Sequence, residues 1–153
     1  MAANLQQSKV FAGLDRERIE AIERSGSRAE FHPGDLVIEE GQPNDHLFVV
    51  LRGELEVFLP KTDERVTKVS IAPVGPGDCI GEYSFVDDKP ASASVVATTQ
   101  AEVFKIPQTE FQRILDSDAN AGQVIYRNLL CLLVKRLRAE NQLLNLLASP
   151  AKG

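Results

Sequence analysis

The sequence predicts a mainly β fold with flanking helices: an eight-stranded β-roll or jelly roll, a short N-terminal helix and a long C-terminal helix. Three observations carry that prediction. From Ser27 to Pro107, short apolar runs are broken every few residues by Gly, Pro, Asn and Asp, the punctuation of strands and tight turns. On either side the apolar spacing lengthens from two to three and four, the period of a helix. The 153 residues suit one domain, large enough to bury a core without staples.

In chain order, residues 8–24 come first. Val10, Phe11 and Leu14 lead into Asp15, whose side chain can cap a helix over Arg16–Arg24 with Ile19 and Ile22 on one face. Strands are expected at Arg28–Phe31, Leu36–Glu39, His46–Arg52, Glu54–Leu59, Val66–Val74, Cys79–Ile80, Ser92–Thr98 and Glu102–Ile106. Leu55, Val57 and Leu59 alternate with Glu54 and Glu56, so that strand buries one face. The breaks are Pro33-Gly34-Asp35, Gly41 to Asp45, Arg52-Gly53 and Gly75-Pro76-Gly77-Asp78. After Pro107 a short helix over Gln108–Leu115 precedes a long one from about Asn120 to Ala148. The expected organisation is a single domain over 8–147, its β-roll at 27–107 and its C-terminal helices at 108–148, with a tail at 149–153.

Composition excludes several classes of function. A net charge of −5 and a pI near 5.1 argue against nucleic acid as a partner, because phosphate neutralisation needs a basic face. Cys79 and Cys131 sit in apolar surroundings and read as buried free thiols of a reducing compartment; no Cys-x-x-Cys or His-rich spacing suggests a metal. The first ten residues lack the apolar core of a secretory signal, and the longest apolar run, Leu129 to Val134, is too short for a bilayer. A cytoplasmic protein with no membrane partner is expected.

The stretch with the most chemistry runs Ile80-Gly81-Glu82-Tyr83-Ser84-Phe85-Val86-Asp87-Asp88-Lys89-Pro90-Ala91-Ser92-Ala93-Ser94-Val95. It resembles the phosphate-binding cassette of the cyclic-nucleotide-binding domain family, in which Gly-Glu opens a short helical turn and Pro-Arg-small-small closes it. Phe31 to Gly41 and Asp45 to Glu54 are similar to the family's first glycine-punctuated hairpins, so the resemblance covers roughly residues 8–147. It implies the effector domain of a catabolite-activator-like regulator, with cyclic AMP or cyclic GMP as ligand. Carried over, Gly81 lets the backbone approach closely and Glu82 accepts the ribose 2′-hydroxyl. In the turn that follows Tyr83, the N–H groups around Ser84 and Phe85 face the phosphate, as helix N-termini do. Ser92 adds a hydroxyl.

The departure is Ala91, at the position where the family has its phosphate-pairing Arg. Alanine supplies neither charge nor a fork of donors. Removing one partner of a buried charged pair costs about 2–5 kcal/mol, roughly 30- to several-thousand-fold in affinity. Lys89 is the one cation nearby in sequence; beside Asp87 and Asp88 it reads as a solvated loop residue, with rescue of the phosphate contact as the alternative. Glu82 has two readings as well: ribose ligand, or a carboxylate that bonds its own loop and keeps the cassette's shape.

The long helix carries a heptad-spaced seam, Leu130, Val134, Leu137, Asn141, Leu144 and Ala148. With Val134 and Asn141 at a and Leu137 and Leu144 at d, it fits a parallel two-stranded coiled coil whose register one Asn fixes. A second apolar face, Ile125, Leu129 and Leu133, is left to pack on the barrel, and related bacterial regulators dimerise through this helix. A homodimer is therefore expected, and a further protein partner is allowed. Lys135, Arg136 and Arg138 read as a solvated basic cluster.

Catalytic residues are not indicated. His32 lies beside a turn and His46 opens a strand; no clustered His and Glu set of a metal-dependent jelly-roll enzyme is present, and Ser92 and Ser94 have no His nearby in sequence. Three readings follow. The first is a non-enzymatic regulatory module whose cyclic nucleotide binding is weakened or lost. The second is a working cyclic AMP or cyclic GMP sensor with an unusual phosphate contact, and the third is a jelly-roll enzyme.

Overall fold

The computed structural model describes residues 5–150, so the last three residues of the expected tail lie outside the described residues. A 3-10 turn at Leu5–Gln7 leads to helix α1 (Arg16–Ser25), where Asp15 accepts the Arg18 N–H at 2.9 Å as the expected cap. Eight strands follow: β1 (Ser27–Phe31), β2 (Leu36–Ile38), β3 (His46–Arg52), β4 (Leu55–Leu59), β5 (Val69–Val74), β6 (Cys79–Ile80), β7 (Ser94–Ala97) and β8 (Ala101–Pro107). Helix α2 (Glu82–Asp87) interrupts them between β6 and β7. Helices α3 (Gln108–Ser117) and α4 (Ala119–Ala148) complete the chain.

The strands form two antiparallel four-stranded sheets, ordered β1-β8-β3-β6 and β2-β7-β4-β5. Strand β3 shows why they stack. Its run Leu47-Phe48-Val49-Val50-Leu51 is buried throughout instead of alternating with polar residues. Leu47, Val49 and Leu51 pack with Phe11, Ile19, Ile22, Phe111, Ile125 and Leu129 of the helical layer. Phe48 and Val50 face the other way, into a second cluster with Leu55, Val74, Val95 and Val103 between the sheets. A strand covered on both faces needs no polar side. The result is three layers: helices, the β3 sheet, and the outer sheet.

The differences from expectation have local causes. The strand expected from Val66 begins at Val69, because Val69 lies opposite Leu59, the last residue of β4, and the ladder between the two strands ends there. The strand expected over Ser92–Thr98 shortens to Ser94–Ala97: Ala91 is tied to another loop, and Thr98 bonds the Glu54 carbonyl at 3.0 Å in a turn. Cys79 is buried, but Cys131 is exposed, contrary to the expectation for both thiols. The buried side of α4 consists of Ala121, Gly122, Ile125 and Leu129, and position 131 lies off that stripe. Among the described residues, no helix is long and apolar enough to cross a membrane.

Candidate functional site

The cassette begins where β6 ends. Gly81 takes a left-handed conformation (φ 89°, ψ 2°) and turns the chain sharply into α2. A side chain there would place its Cβ 2.7 Å from the His46 carbonyl oxygen and 2.8 Å from Asn44 Nδ2, so the corner itself leaves no room for one. Asn44 holds the same corner from outside, donating to the His46 carbonyl at 3.0 Å and the Gly81 carbonyl at 3.4 Å. The turn of α2 closes on Asp88, also left-handed (φ 56°), whose N–H reaches the Ser84 carbonyl at 3.0 Å.

Within α2, Glu82 and Ser84 are buried, Tyr83 is exposed, and half-buried Phe85 meets Phe111 edge-on with ring centroids 4.8 Å apart. That aromatic contact continues to Phe11, 6.3 Å from Phe111, and seats the cassette helix on the helical layer. No side chain caps the N-terminus of α2.

On the return path, Ala91 is fixed by its backbone. Its N–H donates to the Gln42 carbonyl at 3.0 Å, and its carbonyl accepts the Gly41 N–H at 2.9 Å. Its half-buried methyl packs against the cluster between the sheets. Lys89 and Ser92 are exposed; the Lys89 N–H is taken by the Asp87 carboxylate at 3.0 Å. One cation that the sequence did not single out stands on this rim: Arg65, in the β4–β5 loop, grips both oxygens of Glu40 at 3.1 and 3.3 Å and the Pro60 carbonyl at 2.6 Å. Glu40 precedes Gly41 and bonds Ser94 Oγ through its own N–H at 2.9 Å.

The main surprise is at Glu82. Its carboxylate, whose side chain is 5% exposed, forms an ion pair with Arg136 of α4. Arg136 also donates to the Cys79 carbonyl at 2.8 Å, and its guanidinium lies 5.9 Å from the centre of the Tyr83 ring. Arg136 is thus half-buried against the cassette, which corrects its reading as part of a solvated cluster; Lys135 and Arg138 are exposed as expected. A signal was available: Arg136 continues the inward stripe of Ile125, Leu129 and Leu132 at steps of four, three and four. Burial pushes the adjoining Cys79 thiol up to about 12, with Arg136 pulling the other way. Partial burial, with Glu140 adding negative charge, raises the Tyr83 phenol.

Of the seam residues, Leu130, Val134, Leu137 and Leu144 are exposed along α4, as is Asn141, while Ile125 and Leu129 of the second face are buried and Leu133 is half-buried. Each His sits against a neighbouring Asp: His32 Nδ1 is 3.6 Å from Asp35, and His46 Nδ1 is 2.7 Å from Asp45. Among the described residues, no three His, Cys, Asp or Glu side chains gather as a metal site would require.

Residues 28–118 match the family model described as Cyclic nucleotide-binding domain. A cAMP-dependent protein kinase regulatory subunit of Emericella nidulans is 36% identical over 86 residues, which are 56% of this chain and 20% of that protein. A CRP-like cAMP-activated global transcriptional regulator of Mycobacterium tuberculosis is 30% identical over 142 residues, 90% of this chain and 58% of the regulator. This chain therefore spans well under two thirds of either relative. A solved cyclic nucleotide-binding domain from Methylobacillus flagellatus superposes with a TM-score of 0.81 at 25% identity, covering 97% of this chain and 82% of that one. With two antiparallel sheets, a cassette between β6 and β7 and a family match over more than half its length, the chain belongs to the cyclic nucleotide-binding domain family.

Proposed function

We propose that this chain is a non-enzymatic regulatory module, one domain over residues 8–147, in which binding of cyclic AMP or cyclic GMP is weakened or lost and which pairs with a second copy through α4. The observation that carries the first part is Ala91. It occupies the position of the cassette Arg, its backbone is committed to the 41–42 turn and its methyl faces the inter-sheet core, so it offers a phosphate no charge. Losing that charged partner is worth about 2–5 kcal/mol of affinity. The pairing of Glu82 with Arg136 works in the same direction, because the ribose hydroxyl would meet a carboxylate that is already engaged. A regulatory role fits the names of both relatives, one a kinase regulatory subunit and the other a transcriptional regulator. Pairing through α4 is supported by the exposed heptad seam from Leu130 to Leu144.

Calorimetric titration with cyclic AMP and cyclic GMP tests the reading. Dissociation constants weaker than roughly 10 μM are expected for both, since a site without its Arg forfeits at least about 30-fold. A tighter constant for either nucleotide overturns it. Ala91→Arg is expected to improve affinity at least about tenfold. Arg65 favours the second reading, a sensor with an unusual phosphate contact, because it already stands on the same rim. In that case the wild type binds tightly and Arg65→Ala abolishes the binding.

A further inference from the structure

We propose that the cassette of this chain is a guanidinium receptor, with Arg136 as its tethered ligand. The inference goes beyond loss of nucleotide binding and does not depend on Ala91. A guanidinium is planar, permanently charged, and carries five N–H donors in a fixed fork with a weakly hydrated face. Its ideal host offers a carboxylate, a carbonyl in the plane of the fork, and an aromatic ring nearby. Strand β6 and the beginning of the cassette supply all three within five residues. Glu82 gives a buried carboxylate, Cys79 its main-chain carbonyl, and Tyr83 the ring.

Burial decides what the carboxylate must hold. A buried ion without a partner is strongly unfavourable, and a neutral hydroxyl compensates a carboxylate less well than a charge-assisted contact does. Gly81 sets Glu82 at the head of a turn fixed by Asn44 and His46, so the carboxylate has little freedom to move out towards water. The host is therefore preformed by β6 and the Gly81 corner, and α4 delivers the guest from 54 positions along the chain. Past Leu132, this contact ties α4 to β6 and α2, where α4 otherwise presents exposed leucines. The same host would accept a guanidinium that is not tethered, such as a free small cation or an arginine side chain of another protein, once Arg136 is removed.

Chemical rescue tests this on the whole chain. Arg136→Ala is expected to lower the thermal midpoint by about 5–10 °C, the loss of a buried pair discounted because Arg136 is partly exposed. Methylguanidinium at about 20 mM is expected to restore at least a third of that loss, and methylammonium at the same concentration less than half as much. Neither cation is expected to raise the midpoint of the wild type. An unchanged midpoint for Arg136→Ala overturns the proposal, as does equal rescue by the two cations or rescue by neither. If Arg136→Ala fails to fold, the comparison moves to Arg136→Met and the double variant Glu82→Gln/Arg136→Met. The double variant has no buried charge left uncompensated, so it is expected to be the more stable of the two. A double variant no more stable than Arg136→Met refutes the role of the Glu82 carboxylate.

Discussion

Gly81→Ala separates two reasons for a glycine at the head of the cassette. The first is conformational: at φ 89° an alanine is strained by about 1–2 kcal/mol. The second is steric. The new Cβ would stand 2.7 Å from the His46 carbonyl oxygen and 2.8 Å from Asn44 Nδ2. Neither neighbour yields freely, since His46 opens β3 opposite Pro107 of β8 and Asn44 Nδ2 bonds both His46 and Gly81. Overpacking of that kind adds about 1–3 kcal/mol. Gly34 is the control, with φ 92° and no atom within 4 Å of an added methyl, so Gly34→Ala carries the conformational part alone. Both substitutions restrict the unfolded chain equally, and that effect cancels in the comparison. The expected totals are about 2–5 kcal/mol at position 81 and about 1–2 at position 34. Urea unfolding followed by circular dichroism reads the difference as a midpoint lower by roughly 1 M for Gly81→Ala than for Gly34→Ala. Equal midpoints would show that the corner between β6 and α2 has room to spare, and the rigidity assigned to it would be wrong.

Three further outcomes are expected. In native protein at pH 8 a dithiodipyridine assay should titrate one thiol per chain, the exposed Cys131, and reach Cys79 only in denaturant, because burial raises that thiol to about 12; rapid reaction of both contradicts the packing of β6. Sedimentation at micromolar concentration should give about twice the 16.8 kDa chain mass, and Leu137→Asp should return it to one; a wild-type monomer removes the case for the seam. Asp118 is held below the usual carboxylate range, first by the Arg18 hydrogen bond at 2.7 Å and then by the Ala121 N–H it caps. Its contribution is therefore full above the unfolded value of about 3.9 and fades as pH falls through the lower folded value. Asp118→Asn should flatten the loss of stability below about pH 4, and an acid limb parallel to the wild type's would assign that loss to other groups.

The strands were legible because their ends are written locally. Gly34, Gly41, Gly53 and Gly77 all sit at positive φ between them, and Asp15 caps α1 three residues from the N–H it accepts. The cassette was legible for the same reason: Gly81 and Glu82 open it, and its one departure, Ala91, is a single letter. What stayed hidden lies in contacts between distant elements. Arg136 reads as one member of a cluster of three basic residues, and only the docking of α4 along Ile125, Leu129 and Leu132 decides that it points at Glu82 while Lys135 and Arg138 face water. Arg65 is likewise uninformative until the β4–β5 loop folds over Glu40. Cys131 illustrates the converse, since an apolar neighbourhood in sequence does not determine which side of a helix is covered.

Asn128, halfway down the buried part of α4, donates to the Val10 carbonyl at 2.9 Å and the Ala12 carbonyl at 2.8 Å. Arg18 meets Asp118, and Ser27 of β1 lies opposite Lys105 of β8. The first helical layer therefore cannot close until more than a hundred later residues have been made. At a ribosomal rate of roughly 5–20 residues per second, Asn128 follows Leu51 of β3 by about 4–15 s. Through that interval the helix-facing side of β3 has no complete cover, and closure over so long a separation is slow even afterwards. The nascent chain thus passes through a timed window of exposed Leu47, Val49 and Leu51, in which a holding chaperone or a neighbouring ribosome's product is the alternative to its own C-terminal helix.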